Sequence, residues 1–251
     1  MADTIRMTSA TSGKVALAGV GPFGAHVASL LATALPGGGK VDATLAGISA
    51  ALAEQASAVV IALSRPDPTL CDTIDALSYR HQRPWLPVIM EHPVIRIGPL
   101  ARPPAGPCFR CYARRRRQHD RQPWVTAALL AGNDRQQVCG PGGYLPHHAR
   151  LAAAIAHDAV RSLLEDSPSQ AAPEPGSVST IRLADMGLSL GLRSSGVIAC
   201  HDCDRCGVAA LPGASDWLID LALSLNADRA DRDPIDPHED VRQPDSTWAA
   251  R

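Results

Sequence analysis

Lysine is almost absent from these 251 residues: Lys14 and Lys40 are the only two, so nearly all positive charge is arginine. Aromatic residues are scarce as well, at 4%. Apolar runs such as Ala58 to Leu63 reach six residues, far short of the roughly 20 that a membrane-spanning helix needs. Met1 to Gly13 has no apolar core segment, which excludes a secretory signal and leads us to expect a cytoplasmic protein. A formal net charge of -1 provides no global field to attract nucleic acid or an anionic membrane. What is present is ordinary for a globular chain: 45% hydrophobic and 20% charged residues exclude a disordered, collagenous or coiled-coil protein. At roughly 150 residues per domain, the length fits one large domain or one and a half.

Residues 1–13 read as a flexible lead-in. Val15 to Ala18 reads as a short buried strand running into Gly19-Val20-Gly21-Pro22-Phe23-Gly24, followed by a helix from Ala25 to Leu35. A weak second strand is expected over Lys40 to Leu45, and a helix over Ile48 to Gln55. Ala58 to Leu63 is the best strand, and Thr69 to Arg80 reads as an amphipathic helix. Trp85 to Met90 and Val94 to Ile97 come next as paired strands. This alternation predicts an α/β fold: a Rossmann-like, doubly wound, mainly parallel sheet over 14–105, succeeded by a C-terminal zinc-knuckle and helical region. In that region, over 106–225, an arginine-rich helix runs from Cys108 to Asp120 and a second helix from Tyr144 to Asp166. Val178 to Leu192 looks like a hairpin and Asp216 to Leu225 like a last helix. The prolines of Ser167 to Gly176 mark a loop, and residues 226–251 read as a disordered tail.

Seven cysteines are too few and too clustered for a disulfide scaffold, and the clustering points to metal. Cys108-x-x-Cys111 and Cys203-x-x-Cys206 are two pairs in Gly- or Pro-flanked turns that let two thiolates face one point, as a tetrahedral four-cysteine zinc site requires. The stretch between them exceeds common zinc-ribbon spacing, so their pairing is inferred. Cys200-x-x-Cys203 with His201 is a competing ligand set, and Gly207 directly after Cys206 favours the first choice. Cys71 and Cys139 read as ordinary thiols. A closed four-cysteine site is structural, because it leaves no position for water.

Gly19-x-Gly21-x-x-Gly24 lies at a strand-to-helix turn where a nucleotide phosphate can approach a helix N-terminus. Pro22 removes one donor from that turn, and the only acidic residue placed to hold a ribose is Asp42. The reading therefore favours a fold relic without nucleotide. Arg114, Arg115, Arg116 and Arg117 form a basic run without interleaved aromatics, which fits a solvated helix face or a docking surface for an acidic peptide or protein better than a nucleic-acid site. His119, His147, His148 and His157 have no catalytic partner at a recognisable spacing, and no GxSxG or HExxH pattern exists.

Taken in order, the glycine turn, Ala58-Val59-Val60-Ile61, Trp85-Leu86-Pro87-Val88, Ile97-Gly98-Pro99, Gly106-Pro107-Cys108-x-x-Cys111 with Arg115, and Cys203-x-x-Cys206-Gly207 resemble the ThiF-like, ubiquitin-activating-enzyme superfamily over about residues 14–210. The sequence is most similar to the ocin-ThiF-like branch, the cyclodehydratase partners of thiazole/oxazole-modified microcin biosynthesis. The resemblance implies a protein that keeps the fold and one structural zinc per chain but does not adenylate. Such a protein presents a ribosomal precursor peptide to a separate YcaO enzyme, which uses ATP to form azolines, and it forms a homodimer. ATP binding by this chain is not expected, because the Asp-x-Asp element and the Asn-Leu-x-Arg-Gln type segment of adenylating members have no counterpart after Gly24. Fuller members carry a winged-helix leader-recognition domain ahead of the glycine turn, where 13 residues stand here. Leader recognition is then expected from another protein or from the arginine-rich stretch. The rival reading is an ATP-dependent adenylating enzyme acting on a peptide or carrier C-terminus.

Overall fold

A computed structural model of the chain describes residues 13–54, 56–134, 143–164, 173–183 and 191–207. The lead-in up to residue 12, Cys139, the predicted helix over Asp216 to Leu225 and the tail lie outside them. The chain divides into Met1–Ala210 and Leu211–Arg251, and all the described residues belong to the first unit.

The first βα unit is β1 (Val15–Val20) and α1 (Gly21–Ala34). Helix α1 begins inside the glycine turn, four residues earlier than expected, because a side chain from elsewhere in the fold satisfies its first N–H groups. The predicted strand over Lys40 to Leu45 is instead β2 (Gly38–Lys40). Gly37 turns the chain at φ 79°, Gly38 and Gly39 pair at once with Val15 and Ala16, and Thr44 is drawn away to cap α2 (Leu45–Ala53), accepting from the Gly47 N–H. Next come β3 (Ala58–Leu63) and α3 (Pro68–His81), the latter opened by Pro68 and by Asp67, whose carboxylate accepts from the Leu70 N–H. Strand β4 (Trp85–Glu91) turns back antiparallel into β5 (Val94–Ile97). The remaining elements are α4 (Phe109–Gln118), α5 (Pro123–Asp134), α6 (Pro146–Leu164), β6 (Ser177–Arg182) and β7 (Leu192–Gly196). Helix α5 is additional to the predicted elements, although Pro123 at its start and the Ala-Leu run after it are helix signals.

The seven strands lie in the order β2-β1-β3-β4-β5-β6-β7. The first three pairings are parallel and the last three antiparallel, so five of the seven strands point the same way. Side chains alternate across the sheet with period two. Val15, Leu17, Val60, Ala62 and Val88 pack on one face with α1 and α6, while Ala16, Ala18, Val59, Ile61 and Ile89 pack on the other with α2, α3 and Phe109 of α4. Every residue of β3 is buried, as a central strand covered on both faces requires. Each fully buried Val, Leu or Ile contributes about 1.5–3 kcal/mol of transfer free energy.

A buried ion pair fastens α4 to the sheet. Arg96 of β5 donates from Nε to Glu91 Oε1 at 2.9 Å and from Nη1 to the Gly98 carbonyl, and its guanidinium lies 4.6 Å from the centre of the Tyr112 ring. Arg116 donates to the second Glu91 oxygen at 2.6 Å. Burial alone would raise the Glu91 carboxyl, but Arg96 and Arg116 together hold it below the usual carboxylate range. A depressed folded-state pKa supplies stability that is present above the unfolded value and lost as pH falls through the folded one. Glu91→Gln is therefore expected to cost about 3–5 kcal/mol in urea unfolding at neutral pH, since Arg96 is left buried without its counter-charge. The same variant should flatten the acid limb of the stability–pH curve, and an acid limb as steep as the parent's would refute the role given to Glu91.

Candidate metal centre

The chain leaving β5 brings the first cysteine pair to the sheet's end. Gly106 (φ 80°) and Gly176 (φ 84°) each lack room for a Cβ, the first against Pro175 and the second against Pro107. The segment entering β6 is thereby pressed against the residues just before Cys108. Strand β7 then returns antiparallel to β6, and the Val197 N–H donates to the Gly176 carbonyl at 3.0 Å. This hairpin delivers Ala199 to Gly207 beside Cys108, despite the long excursion through α5 and α6. A hairpin is present, but it reaches beyond the predicted Val178 to Leu192: its first strand is β6 and its second, β7, only begins at Leu192, with residues 184–190 outside the described ones.

Cys108 stands at the N-cap of α4 and Cys111 one turn along it. Cys203 and Cys206 lie in tight turns, closed by Cys203 N–H to Cys200 O at 3.0 Å and Gly207 N–H to Cys203 O at 2.8 Å. At Gly207 a Cβ would stand 2.4 Å from the Cys203 carbonyl oxygen, so only glycine fits after the second ligand. The four sulfurs lie within 4.8 Å of one another, with 3.8 Å between Cys108 and Cys111, 3.6 Å between Cys108 and Cys203, and 3.4 Å between Cys111 and Cys206. Metal–sulfur bonds of about 2.3 Å in a tetrahedron give edges of about 3.8 Å. The group can therefore hold a metal ion with little rearrangement. Two backbone N–H groups already point at sulfur: Cys108 to Cys206 Sγ and Cys200 to Cys111 Sγ, both at 3.2 Å. Cys200 is buried among these thiols and lends its backbone to the group, and His201 is exposed.

Two of the four thiols, Cys108 and Cys111, resist ionisation. Hydrogen bonding to Cys206 and burial push the Cys108 thiol up, and burial pushes Cys111 up to about 12. Cys203 goes the other way, because the Arg205 and Cys206 N–H groups outweigh its burial. A bound cation reverses this balance, since a coordinating thiol is deprotonated outright.

Sequence reading missed the carboxylate that braces both knuckles. Asp75 of α3 is fully buried and accepts from Trp85 Nε1 at 2.9 Å, from the Phe109 N–H at 3.1 Å and from Arg205 Nη1 at 2.6 Å. Burial raises its carboxyl, and these three bonds oppose the rise. Its position between Cys71 and Ser78 on the apolar side of α3 was the available signal. Further out, Arg110 bridges Asp72 and Asp204, and Arg114 grips Asp202 with both terminal nitrogens. Arg114 and Arg116 are thus engaged in ion pairs, while Arg115 and Arg117 make none among the described residues.

The glycine turn is filled by the chain's own groups. Gly19 has the Gly24 carbonyl oxygen 2.5 Å from where a Cβ would sit, and Gly24 has that of Ala62 at 2.2 Å, so both serve strand–helix contact. Gly21 lies against Ser64, whose Oγ accepts from the Phe23 N–H at 3.0 Å and the Gly24 N–H at 3.4 Å. Those are the donors that a phosphate would use. Tyr144 covers the turn as well, donating to the Pro22 carbonyl at 3.2 Å and meeting the Phe23 ring edge-on. Asp42 is exposed and accepts from the Thr44 N–H ahead of α2. His148 accepts from the Leu145 N–H at the start of α6, with the His147 ring beside it.

No family model matches the chain, and neither does any curated protein. Solved structures do. The heterocyclase TruD aligns at TM-score 0.54 and 22% identity, over 79% of this chain and 28% of its own. A heterocyclase solved with substrate and cofactor aligns at 0.55 and 22%, over 79% and 25%. Escherichia coli MccB, solved with ATP, aligns at 0.53 and 13%, over 78% and 68%. The chain thus spans about a quarter of the heterocyclases and two thirds of MccB, and it shares their fold.

Two results are expected. Cys108→Ser or Cys203→Ser should abolish the one bound metal per chain in elemental analysis and lower Tm, while a chelator should reproduce that drop in the parent and add nothing to the variants. Ser64→Ala should cost about 0.5–2 kcal/mol, as loss of a helix cap does, with metal content unchanged.

Proposed function

We propose that this chain is a non-catalytic, zinc-stabilised scaffold of the ThiF-like kind, with a Rossmann-like, doubly wound core. It docks a ribosomal precursor peptide and stimulates a separate YcaO cyclodehydratase in azoline formation. The observation that carries this reading is the match of 79% of the chain to about a quarter of a heterocyclase, so that the fold recurs as one part of a protein with that name. A closed site of four thiolates suits zinc, which takes tetrahedral sulfur ligation without a geometric preference of its own. Bound there, it would supply cross-linking of the two knuckles and no open position for water. Cys108, Cys111, Cys203 and Cys206 would hold it, and the arginine-rich helix α4 would form the docking face. The protein would act as a cytoplasmic homodimer; no described helix is long and apolar enough to cross a membrane.

The structure of MccB with ATP favours a second reading, an adenylating enzyme. The Ser64 hydroxyl on the Phe23 and Gly24 N–H groups weighs against it. Reconstitution separates the two: partner enzyme, precursor and ATP are combined with and without this chain, and loss of one water per ring is tracked by mass spectrometry. Conversion is expected to collapse on omission, and this chain alone should give no ATP–pyrophosphate exchange. Undiminished conversion would sink the scaffold, and exchange by the chain alone would establish the enzyme.

A further inference from the structure

A cavity of about 870 Å³ opens beyond the ends of β3 and β4, bounded by α3, α4 and α5. Most of its charges are paired, with Arg96 and Arg116 on Glu91, Arg110 on Asp72 and Asp204, and Arg114 on Asp202, so charge selects no ligand there. The outer edge of the sheet is more selective. Strand β7 ends the strand order, and all five of its residues are exposed. The Leu183 N–H donates to the Pro93 carbonyl on the β5 side, and the Arg182 N–H donates to the Gly191 carbonyl on the β7 side. The even-numbered residues of β6 therefore bond to β7, where Ser195 stands opposite Val178 and Arg193 opposite Thr180. That leaves the N–H and C=O groups of Leu192, Ser194 and Gly196 pointing away from the sheet, with no backbone partner among the described residues.

Donor and acceptor pairs that repeat every second residue, about 7 Å apart, match an extended backbone and nothing else of its size. A helix bonds its own N–H groups, and a small ion meets one pair at most. Edge strands are commonly closed to such pairing by proline, charge or a bulge, whereas β7 has no proline and a single charge, Arg193. Exposed apolar side chains flank the row: Leu192 at its start and Ile198 two positions past Gly196. Leu192 stands opposite Ile181 on the face that α6 covers, and Arg193, by alternation, lies on the other face. Arg193 has no ion-pair partner among the described residues, and neither β6 nor β7 contains Asp or Glu. The edge thus suits an extended segment in which an apolar residue is followed by an acidic one. A second copy of the chain suits it less. Pairing two β7 strands about Ser194 uses all three outward positions but makes the two Arg193 side chains diagonal neighbours, about 7–8 Å apart on one face.

We propose that the outer edge of β7 takes up an extended peptide segment as an added strand, bonded through Leu192, Ser194 and Gly196, with an apolar side chain against Leu192 and a carboxylate facing Arg193. On the scaffold reading, on which this step rests, the segment belongs to the precursor peptide, while α4 serves the partner enzyme. The test is fluorescence anisotropy with a labelled peptide of alternating Glu and Val, using the full chain with its metal. N-methylating every amide of the probe keeps its side chains, removes its donors and should weaken binding by about tenfold, the scale of one or two hydrogen bonds. Ser194→Pro deletes an outward N–H at a position where an edge strand accepts proline, and it should weaken binding as much with unchanged metal content and Tm. Ser194→Ala, which keeps the backbone groups, should bind as the parent does. Arg193→Glu should weaken the Glu probe and spare one with Gln in place of Glu. Undiminished binding of the methylated probe, or undiminished binding by Ser194→Pro, would overturn the proposal. So would chain dimers that Ser194→Pro abolishes, since the edge would then belong to a second copy. In reconstitution, normal conversion by Ser194→Pro, where omission of the chain stops conversion, overturns the edge proposal and leaves the scaffold standing. Conversion indifferent to the chain overturns the scaffold and the precursor assignment instead.

Discussion

Cys108 and Cys203 stand 95 positions apart in the chain, yet their sulfurs are 3.6 Å apart. Closing so long an excursion costs entropy that grows with the logarithm of its length, and four neutral thiols contribute little to offset it. The rest of the molecule is arranged around that closure. Helix α6 covers the opposite face of the sheet, β6 crosses to the β5 edge, and β7 runs back so that Val197 meets Gly176 next to Pro107. The antiparallel half of the sheet is therefore the route by which the second knuckle reaches the first. Asp75 ties the junction to the core by bonding to Trp85 of β4, Phe109 of α4 and Arg205 of the second knuckle at once. Removing one of those partners leaves a buried carboxylate undersatisfied, and for that reason the knuckles and the sheet edge are expected to loosen together.

How much of this could be read from the residues depended on the range of the interaction. Ala58 to Leu63 and Trp85 to Met90 were legible because a strand buried on both faces must be continuously apolar. Helix α3 was legible from its period and from Asp67-Pro68 at its start. The register of β2 was not, because three small residues pair as readily in one frame as another until Thr44 commits to capping α2. The cysteine pairs were visible as pairs, but their meeting depends on Gly106 and Gly176 facing prolines from distant segments, which no local pattern encodes. Asp75, Glu91 and Ser64 escaped for a related reason: each looks like an ordinary polar residue until the fold supplies the donors that surround it.

The glycine turn shows how a sequence pattern and its usual chemistry can separate. Gly19 and Gly24 are required by backbone packed against backbone, whatever lies beyond the helix N-terminus. What decides phosphate binding is whether the N–H groups of that turn are free, and here the Ser64 hydroxyl takes those of Phe23 and Gly24. A fold shared with a protein crystallised with ATP therefore does not by itself transfer nucleotide chemistry to this chain.

The same residues that seal the turn also shape the neighbouring crevice. Ser64 directly follows β3, and both it and Arg65 line the cavity beside Asp67 and Pro68. The chain thus leaves β3 with a hydroxyl turned toward α1 and a guanidinium bordering the pocket under α4 and α5. Polar capacity at the β1–β3 boundary is satisfied internally, and one strand over Glu91 and Asp72 are each held between two arginines. On the scaffold reading this is what to expect: a site that never polarises a phosphoanhydride needs no open donors at its glycines.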